Sequence, residues 1–235
     1  MTTDLIPKRI FFTKGVGRHK EKLHSFEMAL RDAGIEKCNI VSVSSIFPPK
    51  CKIVPKPVGL SDINAGEVIF TVMARESSNE PNRLLCASIG LAVPSDREHY
   101  GYLSEHHGFG ETDQKAGDYS EDLAASMLAS TLGVPFDSDS SYDERKETWK
   151  ISDKIVKTSN YTQSAIVDKT GLWTTVIAVA VFLLGEGSPI TKHPHAQEAE
   201  ISQNVIPLDT NNKPADNAGK PADNNAAYIT PASQQ

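Results

Sequence analysis

Apolar positions along this chain follow two rhythms. Between Lys20 and Ala33, residues Leu23, Phe26, Leu30 and Ala33 recur at helical spacing, and Gly34 is a natural stop. A short strand is predicted over Asn39 to Val43. A Ser-Ser pair follows it, and Pro48-Pro49 ends regular pairing. Glu67 to Ala74 (EVIFTVMA) and Leu84 to Val93 (LLCASIGLAV) are apolar runs of strand length. Tyr100 to His106 is read as another strand. A second helix is predicted from about Glu121 to Leu132, because Asp118 and Glu121 have capping-box spacing and Gly133 follows. Trp149 to Ile166 fits neither period. Thr174 to Leu184 closes the pattern; its stretch VIAVAVFLL, Val176 to Leu184, is shorter than the about 20 apolar residues of a membrane helix and is read as a buried strand.

Strands therefore come in groups with few helices between them. That argues against a doubly wound parallel sheet and for an α+β fold, a layered α/β/β/α-type sandwich of mainly antiparallel sheets. The run Thr13-Lys14-Gly15-Val16-Gly17 has glycines but lacks the closing Gly-Lys-Ser/Thr of a phosphate loop. Beyond Gly185 the composition shifts to Asn, Pro, Ala, Asp and Gln, and KPADN occurs twice, at Lys213–Asn217 and Lys220–Asn224. Such a segment buries too little apolar surface to offset its ordering entropy. The expected division is a folded domain over 1–185 and a disordered low-complexity tail over 186–235.

Composition narrows the function classes. Charged residues make up 23% of the 235 residues and the net charge is -6, so nothing electrostatic favours nucleic acid or an anionic membrane as partner. Cys38, Cys51 and Cys86 are odd in number and stand at no metal-ligand spacing, which points to a reduced cytoplasm. The start, MTTDLIPKRIFF, lacks the apolar run of a secretion signal.

Three features invite chemistry. Ser44-Ser45 sits between a strand and a rigid Pro-Pro, with apolar residues on both sides. A serine held there can attack the preceding carbonyl if an oxyanion donor is at hand. Glu27 falls on the apolar side of its predicted helix, and carboxylates are rarely buried unpaired, so it either reaches solvent or meets a cation. Glu105, if on a strand, shares a face with Leu103 and Gly101; a carboxyl on an apolar face tends to stay protonated and can act as a general acid. A metal site from His99, Glu105, His106, His107 and Glu111 is set aside, because adjacent strand residues such as His106 and His107 point to opposite faces.

The run Asn39-Ile40-Val41-Ser42-Val43-Ser44-Ser45-Ile46-Phe47-Pro48-Pro49 resembles the self-cleavage region of pyruvoyl-dependent arginine decarboxylases. Ile53-Val54-Pro55 also fits, as do Glu105 within Gly101 to Gly108 and Ser25-Phe26-Glu27-Met28-Ala29-Leu30 followed by Ala33-Gly34-Ile35. The resemblance spans roughly Ile10 to Gly185, and the tail has no counterpart in it. It implies that Ser45 attacks the Ser44 carbonyl and that the chain divides into 1–44 and 45–235. Residue 45 then becomes a covalent pyruvoyl cofactor, with Asn39 polarising the scissile bond or positioning the pyruvoyl. The substrate amine would condense with it as a Schiff base, and the group would act as the electron sink for decarboxylation. The resemblance further implies Glu105 as proton donor, Glu27 as partner of the arginine guanidinium where archaeal members carry Asp, agmatine as product, no metal, and trimers with each site where two subunits meet.

Overall fold

The computed structural model describes residues 5–133 and 155–185, with the side chains of 155 and 156 left out; the expected tail lies outside the described residues. Among the described residues, nine strands and three helices follow one another as β1 (Arg9–His19), α1 (Lys22–Ala33), β2 (Asn39–Ser42), β3 (Ile46–Phe47), β4 (Lys52–Ile53), α2 (Lys56–Ser61), β5 (Val68–Ser78), β6 (Leu84–Pro94), β7 (Gly101–Phe109), α3 (Asp113–Thr131), β8 (Ile155–Ile166) and β9 (Trp173–Leu183). They form a five-stranded sheet in the order β2-β5-β9-β1-β4 and a four-stranded sheet in the order β3-β7-β6-β8. Strand pairs are antiparallel except β1 with β4 and β2 with β5. The α+β expectation holds.

The two sheets face each other across the main core. Ile10, Phe12, Val72, Ala74, Ala178 and Ala180 of the first meet Leu85, Ile89, Leu91 and Leu103 of the second. Residues one position along, such as Phe11, Ile177 and Val179, point the other way and pack under α1 with Ala29 and Ala33. A strand buried on both faces needs an unbroken apolar run, which is why VIAVAVFLL shows no alternation. α3 covers the outer face of the second sheet through Ala124, Ala125 and Leu128. The layers are thus α, β, β, α.

Several elements depart from expectation. The glycine run over residues 13–17 is the middle of β1, paired with β9 from Arg9↔Leu183 to His19↔Trp173. Its glycines are a floor for α1: a Cβ on Gly15 would lie 2.2 Å from the Ala29 carbonyl oxygen, and one on Gly17 2.0 Å from that of Ser25. So close a helix can bury only small side chains. Its buried face is Ser25, Ala29 and Ala33, while Leu23, expected inside, is 79% exposed. The helix ends as expected at Gly34, whose φ of 83° suits a residue without Cβ. α3 starts earlier than predicted. Its N-cap is Thr112, whose hydroxyl accepts from the Lys115 N–H at 3.3 Å, so Asp118 and Glu121 lie inside the helix. The ambiguous stretch contains β8; residues 149–154 lie outside the described residues.

Candidate active site

The Ser-Ser pair is where the chain leaves one sheet for the other. β2 belongs to the five-stranded sheet and β3 to the four-stranded one, so residues 43–45 cross the rim of the sandwich. The Val43 N–H still donates to the Thr71 carbonyl, 3.0 Å away in the first sheet. The Ser45 carbonyl already accepts from the Leu103 N–H, 2.8 Å away in the second. Between them the Ser44 carbonyl accepts from the Ile46 N–H at 2.9 Å, a tight turn centred on Ser45. A backbone N–H therefore polarises the carbonyl that precedes Ser45. Ser44 is exposed and Ser45 half-buried. Ser44 also opens on an apolar cavity of 430 Å³ that Val43, Ile46, Pro48, Phe70 and Phe182 help to line.

Glu105 stands two residues beyond Leu103 on β7, opposite Ile89. Leu103 lies in the core between the sheets, so Glu105 shares that face, as the sequence reading expected. It sits at the rim, and its side chain is exposed. Even so, the surrounding protein removes enough water to raise its pKa above the ordinary carboxylate value, against a smaller opposing pull from His107. His107 on the same face bonds Glu76 of β5, Nδ1 to Oε2, at 3.0 Å. His106 and His107 point to opposite faces, His106 toward Tyr119 on α3.

Glu27 and Asn39 lie elsewhere in the single chain. Glu27 is on α1, on the outer side of the first sheet. Its Oε1 accepts from Arg31 Nε at 2.5 Å, and its Oε2 lies 3.8 Å from His24 Nε2. That Oε2 atom is shielded from solvent yet makes no hydrogen bond. With Glu21 and Leu23 these residues border a shallow depression. Asn39 opens β2, and its Nδ2 donates to the Gly66 carbonyl at 3.0 Å. Five residue steps of mostly extended chain separate it from Ser44, roughly 17 Å. The single chain therefore brings Ser44, Ser45 and Glu105 to one rim and leaves Glu27 and Asn39 apart from it.

The chain that builds this rim, with a polarised carbonyl before a serine and a carboxyl of raised pKa two residues past Leu103, has known relatives. The family described as "Pyruvoyl-dependent arginine decarboxylase (PvlArgDC)" matches residues 9–186. The chain belongs to the pyruvoyl-dependent arginine decarboxylase family. A protein named "Probable pyruvoyl-dependent arginine decarboxylase" from Chloroherpeton thalassium is 61% identical over 178 residues, 76% of this chain and 98% of that protein. "Pyruvoyl-dependent arginine decarboxylase" from Nitrosopumilus maritimus is 52% identical over 181 residues, 77% of this chain and 99% of that protein. One of the same name from Methanococcoides burtonii is 53% identical over 180 residues, 77% of this chain and all of that protein. Membership makes the chain a carboxy-lyase with a covalent pyruvoyl group. Ser45, preceded by a carbonyl with a hydrogen-bond donor already on it, fits as the precursor of such a group.

Proposed function

We propose that this chain cuts itself between Ser44 and Ser45 and decarboxylates L-arginine to agmatine and carbon dioxide. The observation that carries the reading is the Ile46 N–H on the Ser44 carbonyl oxygen. Ser45 Oγ adds to that carbonyl, and the Ile46 N–H, with the carbonyl of residue 45 anchored by Leu103, steadies the oxyanion. The C–N bond breaks as the C–O bond forms, giving an ester and a free amine on residue 45. Loss of the α-proton and of the Ser44 carboxylate leaves dehydroalanine, and water then releases ammonia. The products are 1–44, ending in a carboxylate, and 45–235, beginning with the pyruvoyl.

The pyruvoyl supplies the electron sink for loss of the substrate carboxylate. The rest falls to side chains. Glu105, whose pKa is raised by the loss of surrounding water, returns a proton to the substrate α-carbon. Glu27 receives the guanidinium, for which a carboxylate offers two parallel hydrogen bonds. Arg31 already makes one such bond to Glu27 within the chain, so the substrate shares or displaces it. Because Glu27 and Asn39 lie away from Ser45 in one chain, the complete site takes them from a neighbouring copy, which supports a trimer with sites at subunit boundaries. Asn39 would then position the pyruvoyl across that boundary. The free Cys38, Cys51 and Cys86 suit the reducing cytoplasm.

Denaturing electrophoresis with intact-mass measurement tests the reading. Two pieces are expected, 1–44 and 45–235, the larger blocked to N-terminal sequencing and yielding agmatine from arginine. A single chain of 235 residues in active protein overturns the cleavage. Equal rates on arginine, ornithine and lysine overturn the guanidinium role of Glu27.

A further inference from the structure

On the opposite face of β7 from Glu105, three side chains of metal-binding chemistry converge. Cys86 comes from β6, His106 from β7 and Glu111 from the turn before α3. Their ligand atoms all lie within 4.8 Å of one another, the one such group among the described residues. His106 Nε2 is 2.6 Å from Glu111 Oε2, and Cys86 Sγ is 3.8 Å from the same oxygen. We propose that Cys86, His106 and Glu111 form a zinc-class divalent metal site with water in a fourth position.

Geometry and chemistry both support it. Tetrahedral zinc with ordinary sulfur, nitrogen and oxygen bonds holds its ligands roughly 3.3–3.6 Å apart. The sulfur–oxygen spacing is close to that already. The histidine–carboxylate pair opens by roughly 0.7 Å and exchanges one hydrogen bond for two metal bonds. Thiolate, imidazole and carboxylate together select a borderline ion over magnesium or calcium. Burial and Glu111 push the Cys86 thiol up to about 11, so the incoming ion displaces the thiol proton to solvent, and the resulting thiolate and the carboxylate together neutralise the divalent charge. The surroundings are shaped for it. Lys115 holds the other carboxylate oxygen, Oε1, at 3.3 Å, which leaves Oε2 directed at His106 and Cys86. Tyr119 packs on the His106 ring, with centroids 4.5 Å apart. Gly108 adds no side chain where a Cβ would lie 3.8 Å from Glu111 Oε2 and 4.0 Å from Cys86 Sγ.

The sequence reading set metal aside because His106 and His107 diverge. They do diverge, but His106 finds its companions on β6 and in the next turn, which spacing along the chain does not reveal. The site lies back to back with the proposed proton donor, one residue along β7. A bound ion would tie β6, β7 and the start of α3 together behind Glu105.

Titration of the full-length Ser45→Ala protein with cobalt(II) and zinc(II) tests the site apart from maturation and turnover. The expected result is one equivalent of cobalt giving a thiolate-to-cobalt charge-transfer band, displaced by zinc, with the melting temperature rising on binding. Cys86→Ala should abolish the band, and Glu111→Gln should weaken zinc by ~100-fold. Lys115→Ala, acting only on the ligand's orientation, should cost about tenfold. His193 and His195, two residues apart, are a competing pair of ligands, so the same titration is run on His193→Ala/His195→Ala. Stoichiometric binding that survives Cys86→Ala and Glu111→Gln, or that disappears with His193→Ala/His195→Ala, overturns the proposal. So does the absence of a thiolate band in the Ser45→Ala protein.

Discussion

The Ser44–Ser45 crossing and the helix-covered faces of the sheets are built on opposite terms. At the crossing, three backbone hydrogen bonds hold the chain and Ser44 stands open to solvent. Under the helices there is no spare volume. A Cβ on Gly17 would reach 2.0 Å from one α1 carbonyl oxygen, and one on Gly90 2.0 Å from the Ser120 carbonyl oxygen of α3. Hydroxyls fill what remains: Ser88 Oγ lies 2.7 Å from both Ser120 Oγ and Thr162 Oγ1, and Ser25 Oγ lies 2.7 Å from Thr175 Oγ1. The difference separates two kinds of sensitivity. Under the proposed self-cleavage, a change at the crossing should alter chemistry and spare the fold. A change under a helix alters the fold and reaches the chemistry only through it.

The largest expected effect is at the crossing. Ser45→Ala should abolish both cleavage and turnover while stability stays within about 0.5 kcal/mol, as for an uncrowded position. Two fragments from that variant, by intact mass, would break the comparison at once. Gly90→Val should come next, costing about 3 kcal/mol or more because its side chain meets backbone rather than a yielding side chain. Urea unfolding checks it; an unchanged midpoint would mean α3 lifts freely off its sheet.

Glu105→Gln sharpens the comparison at the rim. Cleavage and stability should persist, while kcat falls by roughly 10²–10⁴. The sign of the pH dependence follows from the raised pKa. The acid works when protonated, so turnover is present below its folded pKa and lost as pH rises through it. That limb of the profile should lie above the ordinary carboxylate range and vanish in the glutamine variant. Arg31→Ala should have the smallest effect, since a solvent-exposed ion pair contributes little. Freeing Glu27 should lower KM for arginine about two- to threefold and leave kcat alone; a raised KM would mean that Arg31 helps to hold the substrate.

Much of this was legible in the chain, for reasons that also explain the misses. β5, β6 and β9 announce themselves because doubly buried strands need unbroken apolar runs, and α1 because its capping glycine follows a periodic segment. β1 escaped because the glycines that let α1 approach look like a loop when only local signals are read. α3 was started late because an acidic pair inside it imitates a cap that Thr112 provides. The Ser-Ser pair and Glu105 could be placed because each depends on its own strand. The partners of Glu27, and the meeting of Cys86 with His106 and Glu111, could not: they depend on which elements the fold lays side by side.

The position of β1 has one more consequence. It lies between β9 and β4, hydrogen-bonded to β9 along its whole length, so cutting at Ser44–Ser45 leaves residues 1–44 woven into a sheet made mostly of the other piece. Under the proposed cleavage, the mature protein is an assembly of two polypeptides whose strands paired while they were one chain. Once melted, the pieces must find each other at a rate that falls with dilution, and a subunit whose pyruvoyl is destroyed has no uncut serine from which to remake it. The proposed maturation would act as a ratchet: the folded state would carry a history that its separated parts cannot repeat.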